Sequence, residues 1–149
     1  MSARERRPPA APRRDSGTLG AVMTDDVLAA NARFYEVFAR GDARAMDELW
    51  SEDAAVACVH PGWRALVGRV AVMNSWRRLL AGGATPIACE DPLVISESAT
   101  AAVVLCVERL GDSELSATNV FVRERGQWRL VHHHAGPVAA RPSAPRILN

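Results

Sequence analysis

The chain is predicted to be an α+β domain, with three N-terminal helices packed on an antiparallel sheet. Three observations predict it. Apolar residues recur at helical spacing as far as Leu80. Beyond Gly83 no helical period survives, and four β-rich segments follow. Short turn sequences separate those segments, which makes them antiparallel neighbours.

The first helix is read from TDDVLAANARFYEVFARGD. Thr24 is the expected cap, with two acids in the first turn. Val27, Leu28, Asn31, Phe34, Tyr35 and Phe38 share one face, and Gly41 ends the helix. Asp42 caps a short second helix, ARAMDELW, whose apolar side is Met46, Leu49 and Trp50. AVACVH is a short strand stopped by Pro61-Gly62. Gly68 precedes the third helix, RVAVMNSWRRLLAGG, with a stripe of Val72, Met73, Trp76, Leu79 and Leu80. The four strands are TPIACEDPLVIS, ATAAVVLCVERL, ELSATNVFVRER and GQWRLVHHHAG. Pro86 and Pro92 make the first of these an edge strand or a bent one. AAVVLCV, residues 101–107, is apolar at every position and needs cover on both faces. Helices cover one face, and a second copy of the chain is the expected cover for the other.

Composition narrows the classes. A chain of 149 residues fits one domain with a sizeable core. Residues 1–22 hold five arginines against Glu5 and Asp15, so this segment is +3 and the remainder of the +1 chain is −2. A near-neutral, slightly acidic domain is a poor nucleic-acid binder. No apolar run reaches membrane-spanning length, and MSARERRPPAAPRRDSG lacks the apolar segment of a secretory signal. A cytoplasmic location is expected. Cys58, Cys89 and Cys106 lack paired metal spacing and read as reduced core thiols. The expected organisation is an Arg/Pro-rich disordered tail over 1–22, a domain over 23–138 and a flexible tail over 139–149.

Residues 24–138 resemble the nuclear transport factor 2-like superfamily. The resemblance rests on FARGDARAMDELWSEDAAV, the HPGW turn, the GRVAV-SW helix and the ending GQWRLVHHHAG. That superfamily includes SnoaL-like polyketide cyclases, ketosteroid isomerase, scytalone dehydratase and the kinase association domain; HPGW with SW looks most like a SnoaL-like branch. The resemblance implies a cone-shaped, cystatin-like α+β barrel, with a small-molecule pocket between helices and sheet. It also implies a homodimer through the convex sheet face.

The histidine triplet is read by strand parity. Trp128, Leu130, His132 and His134 share one face; Arg129, Val131, His133 and Ala135 share the other. Three consecutive histidines cannot converge on one ion without breaking the strand, so neither metal nor cofactor is expected. The resemblance sends the second set inward, so that His133 faces the pocket, either as a base or as a buried neutral core histidine. Asn119 matches a strand position where ketosteroid isomerase keeps a pocket acid, and would hold a substrate oxygen or stand as a strand-edge amide. His60, just before Pro61, corresponds loosely to the isomerase's proton-shuttling aspartate; it would move a proton or cap the HPGW loop. Phe34 occupies the position of the isomerase's oxyanion tyrosine, and Tyr35 lies about 100 degrees round the helix. Steroid isomerisation is therefore disfavoured. Cys106 and Glu108 alternate inward; Glu108 either reaches water or pairs with His133. Trp63 and Trp76 would wall the pocket, although Trp76 also fits a plain core stripe.

Two functions follow. One is a cofactor-independent isomerase, cyclase or dehydratase acting on a mostly apolar carbonyl compound, with His60, Asn119 and His133 as catalytic residues and Trp63, Trp76, Phe34, Cys106 and Glu108 around the ligand. The other is a non-catalytic ligand-binding or assembly domain of the same fold.

Overall fold

A computed structural model of the protein describes residues 16–139, with side chains from residue 22. The terminal extensions 1–15 and 140–149 lie outside the described residues. The elements run α1 (Ser16–Arg40), α2 (Ala43–Leu49), β1 (Ala57–Val59), β2 (Leu66–Val67), α3 (Arg69–Leu80), β3 (Ile87–Glu97), β4 (Ala101–Leu110), β5 (Ser113–Glu124) and β6 (Gln127–Pro137). One six-stranded sheet has the order β2-β1-β6-β5-β4-β3. It is curved and not closed, so the barrel is an open one. All pairings are antiparallel except β1 with β6.

Helix α1 begins at Ser16, inside the stretch assigned to the tail. Thr24 therefore lies within the helix and does not cap it; its hydroxyl donates to Glu97 Oε2 at 2.6 Å. The apolar face expected of α1 is the one that packs on the sheet, with Val27, Asn31, Phe34 and Tyr35 buried. Asp42 does cap α2, accepting from the Ala45 amide at 2.9 Å. In α3, Val72, Met73, Trp76 and Leu80 are buried. Leu79 departs from the expected stripe and is 41% exposed, because it faces the rim of a cleft described below.

Strand β3 is both an edge and bent. Its pairing with β4 slips between Glu90 and Leu93, where Asp91 takes a positive φ of 49° ahead of Pro92. The β5–β6 hairpin turns on Arg125 and Gly126, both at positive φ, the two-residue turn whose twist suits a hairpin. β4 buries Ala102, Val104, Cys106 and Glu108 toward the helices, while Val103, Leu105 and Val107 on the opposite face are half-buried.

A second slip corrects the parity expected of β6. Val120 pairs with His132, but Phe121 pairs with Leu130, which leaves Val131 as the extra residue of a bulge. Leu130 is therefore buried, and neither Arg129 nor Val131 points fully inward. Arg129 instead reaches the Glu48 carbonyl. The bulge precedes the histidines, so beyond it the expected alternation holds: His133 and Ala135 are buried and His134 is exposed.

Gly41 ties α1 to the segment after α3. It has φ +69°, and a Cβ there would stand 2.4 Å from the Gly83 carbonyl oxygen. Gly62 has a similar φ of +79° but open space around it. Gly41→Ala should therefore cost more than the roughly 1–2 kcal/mol of left-handed backbone strain alone. Gly62→Ala should cost about that and no more. Urea unfolding of the two variants checks this; equal losses would show that the Gly41–Gly83 approach is unimportant.

Candidate functional site

Between α1, α3 and the concave side of the sheet lies a slot of about 180 Å³. Its floor and walls are mostly apolar: Phe38 of α1, Trp76 and Leu79 of α3, and Ile87, Leu110 and Leu115 of the sheet. Pro61 and Trp63 form the lip, and Trp63 is 48% exposed. Three titratable groups interrupt this lining: His60, Glu108 and His133. All three are buried.

Glu108 and His133 face each other, with His133 Nε2 at 3.5 Å from Glu108 Oε1. A chain of hydrogen bonds fixes both. Asn119 Oδ1 lies 2.6 Å from His133 Nδ1. An amide oxygen only accepts, so His133 carries its proton on Nδ1 and turns the Nε2 lone pair toward Glu108. Asn119 Nδ2 donates to Asn31 Oδ1 at 2.8 Å and to the Tyr35 hydroxyl at 3.1 Å. Tyr35 in turn donates to Glu108 Oε1 at 2.9 Å. Register makes this possible, since Asn119 and His133 are direct partners across β5 and β6.

His60 is anchored separately. The Ser75 hydroxyl donates to the Val72 carbonyl at 2.7 Å, so it accepts from His60 Nε2 at 2.8 Å. Nδ1 is then the unprotonated nitrogen, with Cys58 Sγ at 3.9 Å. Trp63 and Trp76 hold the ring edge-on, at centroid distances of 5.1 and 5.0 Å.

Burial sets the charges. Desolvation disfavours each ionised form, so the Glu108 carboxyl is pushed up to about 6, with the Tyr35 hydrogen bond opposing. Desolvation pushes His60 down to about 4. It pushes His133 down to about 3, with a smaller contribution from the neighbouring histidines. Near neutrality the slot thus offers two uncharged imidazoles and one carboxyl poised to gain or lose a proton.

His60 and His133 therefore meet at one slot, and Glu108 joins His133 there rather than reaching water. Asn119 stands behind the wall. Its two amide hydrogens are committed to Asn31 and Tyr35, so it cannot hold a substrate oxygen; it orients His133. Phe34 also lies behind, packed on His133 and Trp76 at 5.1 and 5.6 Å. Cys106 sits in the corner beside Tyr35, with Sγ 3.1 Å from its hydroxyl and away from the slot lining. Tyr35 is the residue the sequence reading passed over. Its position one residue from Phe34 pointed elsewhere, yet the phenol reaches Glu108. The available signal was the polar pair Asn31 and Tyr35, four residues apart on an otherwise apolar helix face.

Buried neutral imidazoles take up protons only when the chain unfolds, so stability falls as pH falls from about 6.5 to about 4. For His60 the shift amounts to about 3 kcal/mol at about 1.4 kcal/mol per pH unit. Glu108 works in the opposite sense, because its raised value favours the folded state at lower pH. His60→Asn should therefore flatten the loss of stability between pH 6.5 and pH 4; denaturant melts with an unchanged slope would count against a neutral buried His60.

Comparison with known proteins agrees with this architecture. The SnoaL-like domain model matches residues 27–140. A proposed dehydratase of the nuclear transport factor 2-like family from Streptomyces avermitilis is 33% identical, with a TM-score of 0.74 over 81% of this chain and 99% of that one. A proposed calcium/calmodulin-dependent protein kinase type II association domain from Thiobacillus denitrificans is 32% identical, with a TM-score of 0.64 over 75% and 94%. A Burkholderia xenovorans protein of cystatin-like fold is 16% identical, with a TM-score of 0.67 over 80% and 94%, and shares the fold. Among curated proteins none matches in sequence. The chain belongs to the SnoaL-like family of the nuclear transport factor 2-like fold.

Proposed function

We propose that this chain is a cofactor-independent enzyme that moves a proton next to the carbonyl of a small, mostly apolar compound, as a dehydratase, isomerase or cyclase. The observation that carries this reading is the convergence of His60, Glu108 and His133 on one apolar slot. An assembly module has no need of a carboxyl and two imidazoles buried around one apolar slot at some cost in desolvation. In a dehydration, the Glu108–His133 pair accepts the proton from the carbon beside the carbonyl. A carbon–carbon double bond forms as the carbon–oxygen bond of the β-hydroxyl breaks, and the same pair returns the proton so that water leaves. His60 Nδ1 accepts a hydrogen bond from the substrate hydroxyl and orients it. The likeness to a proposed dehydratase favours dehydration over the other two reactions. Free thiols suit a reducing cytoplasm.

The reading is tested with a panel of small 3-hydroxy ketones, following the enone absorbance. Turnover should rise with pH through about 6, as Glu108 ionises. Glu108→Gln keeps an acceptor for Tyr35 and should lose on the order of 10²–10⁴-fold. Wild-type turnover no better than that of the variant, on every ketone, would sink the reading.

We further propose that two copies pair through the convex sheet face. Support comes from Val103, Leu105, Val107 and Val120, which line that face, and from Leu93, 59% exposed beside Leu105. Leu105→Arg should give a monomer by light scattering, with Ser98→Arg as a control outside the face. A wild-type monomer at micromolar concentration would overturn it.

A further inference from the structure

We infer that Tyr35 is a positioning residue for the proposed proton transfer: its hydroxyl holds one oxygen of Glu108, so that the other is presented to the slot as the base. The inference rests on the proposed reading of the slot and adds a residue that acts through Glu108.

The hydrogen bonds of the phenol carry it. A tyrosine hydroxyl has one hydrogen to give and two lone pairs to offer. The hydrogen goes to Glu108 Oε1 at 2.9 Å. The oxygen accepts from Asn119 Nδ2 at 3.1 Å. With its own hydrogen spent, it also accepts the thiol hydrogen of Cys106, whose Sγ stands at 3.1 Å. Two donors behind the phenol thus aim its hydrogen forward. Burial, and then the facing Glu108, raise the phenol's own value, so it gives a hydrogen bond without giving up the proton.

On the carboxyl, both contacts fall on one atom. Oε1 takes the Tyr35 hydrogen and is also the oxygen 3.5 Å from His133 Nε2. Among the described residues nothing bonds Oε2, yet it is not sealed off as an idle buried oxygen. It therefore borders open space, and the open space at Glu108 is the slot. A proton taken from a substrate carbon settles on Oε2, because Oε1 already accepts the phenol hydrogen.

The electrostatic setting makes this hydrogen bond matter. The ionisable groups around Glu108 are Cys58 of β1, His60 just beyond it, Cys89 opposite on β3, Cys106 on its own strand, His133 of β6 and Tyr35 itself. None supplies a positive charge near neutrality, because burial holds both imidazoles uncharged. Desolvation pushes the carboxyl up, and the Tyr35 hydrogen bond opposes it. Without the phenol, Glu108 would stay protonated, and idle as a base, over more of the neutral range.

Tyr35 is the only tyrosine of the chain, so fluorotyrosine labelling alters this hydroxyl alone. Glutamate labelled with ¹³C reports carboxyl titration by NMR, and Glu108→Gln identifies the Glu108 signal. Tyr35→Phe keeps the ring, which packs edge-on against Phe34 at 4.9 Å, and removes the donor. In this variant the Glu108 midpoint should rise by about one to two pH units, the size of one hydrogen bond to a charged group. 3-Fluorotyrosine, a more acidic phenol and a stronger donor, should lower it. The rise of hydroxy-ketone turnover with pH should follow the midpoint in both proteins, in kcat more than in KM. A residue that only tied helix to sheet would change stability and leave the midpoint in place. A midpoint unmoved by fluorotyrosine would overturn the inference, even where Tyr35→Phe fails to fold. So would midpoints moved the same way by both changes, or a turnover profile that stays put while the midpoint moves. Midpoints that move as expected, with no turnover of any hydroxy ketone, would instead remove the enzymatic reading and leave Tyr35 as the residue that holds the carboxyl.

Discussion

Two side chains on one face of α1, Asn31 and Tyr35, meet the buried amide of Asn119, and the polar interior is organised from that junction. The amide ties the helix to β5, passes its oxygen to His133 on β6, and supports the phenol that reaches Glu108 on β4. Helix and three adjacent strands are thereby fixed relative to each other by directional contacts, which apolar packing alone does not provide. Removing any member leaves a buried donor or acceptor unpaired, and the loss exceeds that of the bond itself.

The arrangement also decides where protons reside. With Nδ1 of His133 locked to an amide oxygen, its second nitrogen is left as a lone pair beside a carboxyl. In water such a pair would ionise to imidazolium and carboxylate. Here Trp76, Phe34 and the other apolar neighbours withhold the solvation that both ions need. Of the two, Glu108 is the group held close to neutrality while His133 stays uncharged, which suits a carboxyl that must both take and return a proton.

Much of the fold was legible because its elements obey local rules. Asp42 announces α2, two prolines mark β3 as an edge, and short turns join the last strands. Parity grouped His133 with Ala135 and the family resemblance sent that set inward; the placement survives because the bulge falls at Val131, before the triplet. Leu130 and Arg129 lie at or before that bulge and were misread, since a one-residue insertion leaves no mark in an alternating pattern. The roles of Asn119 and Tyr35 were less legible for another reason. Whether an amide faces a ligand or supports a neighbour depends on which of its hydrogens are used, and that is decided by residues more than eighty positions away.

The parallel pairing of β1 with β6 has a consequence for how the molecule comes into being. Ala57 and His132 lie side by side although 75 positions separate them, whereas β3 to β6 assemble through successive short hairpins. Closing so long a loop is slow relative to hairpin formation. During synthesis the helices and β1 emerge first and have nothing to enclose until the final strand leaves the ribosome. The hollow is thus among the last features to form, and a chain halted before residue 133 would possess helices and a partial sheet but no chamber.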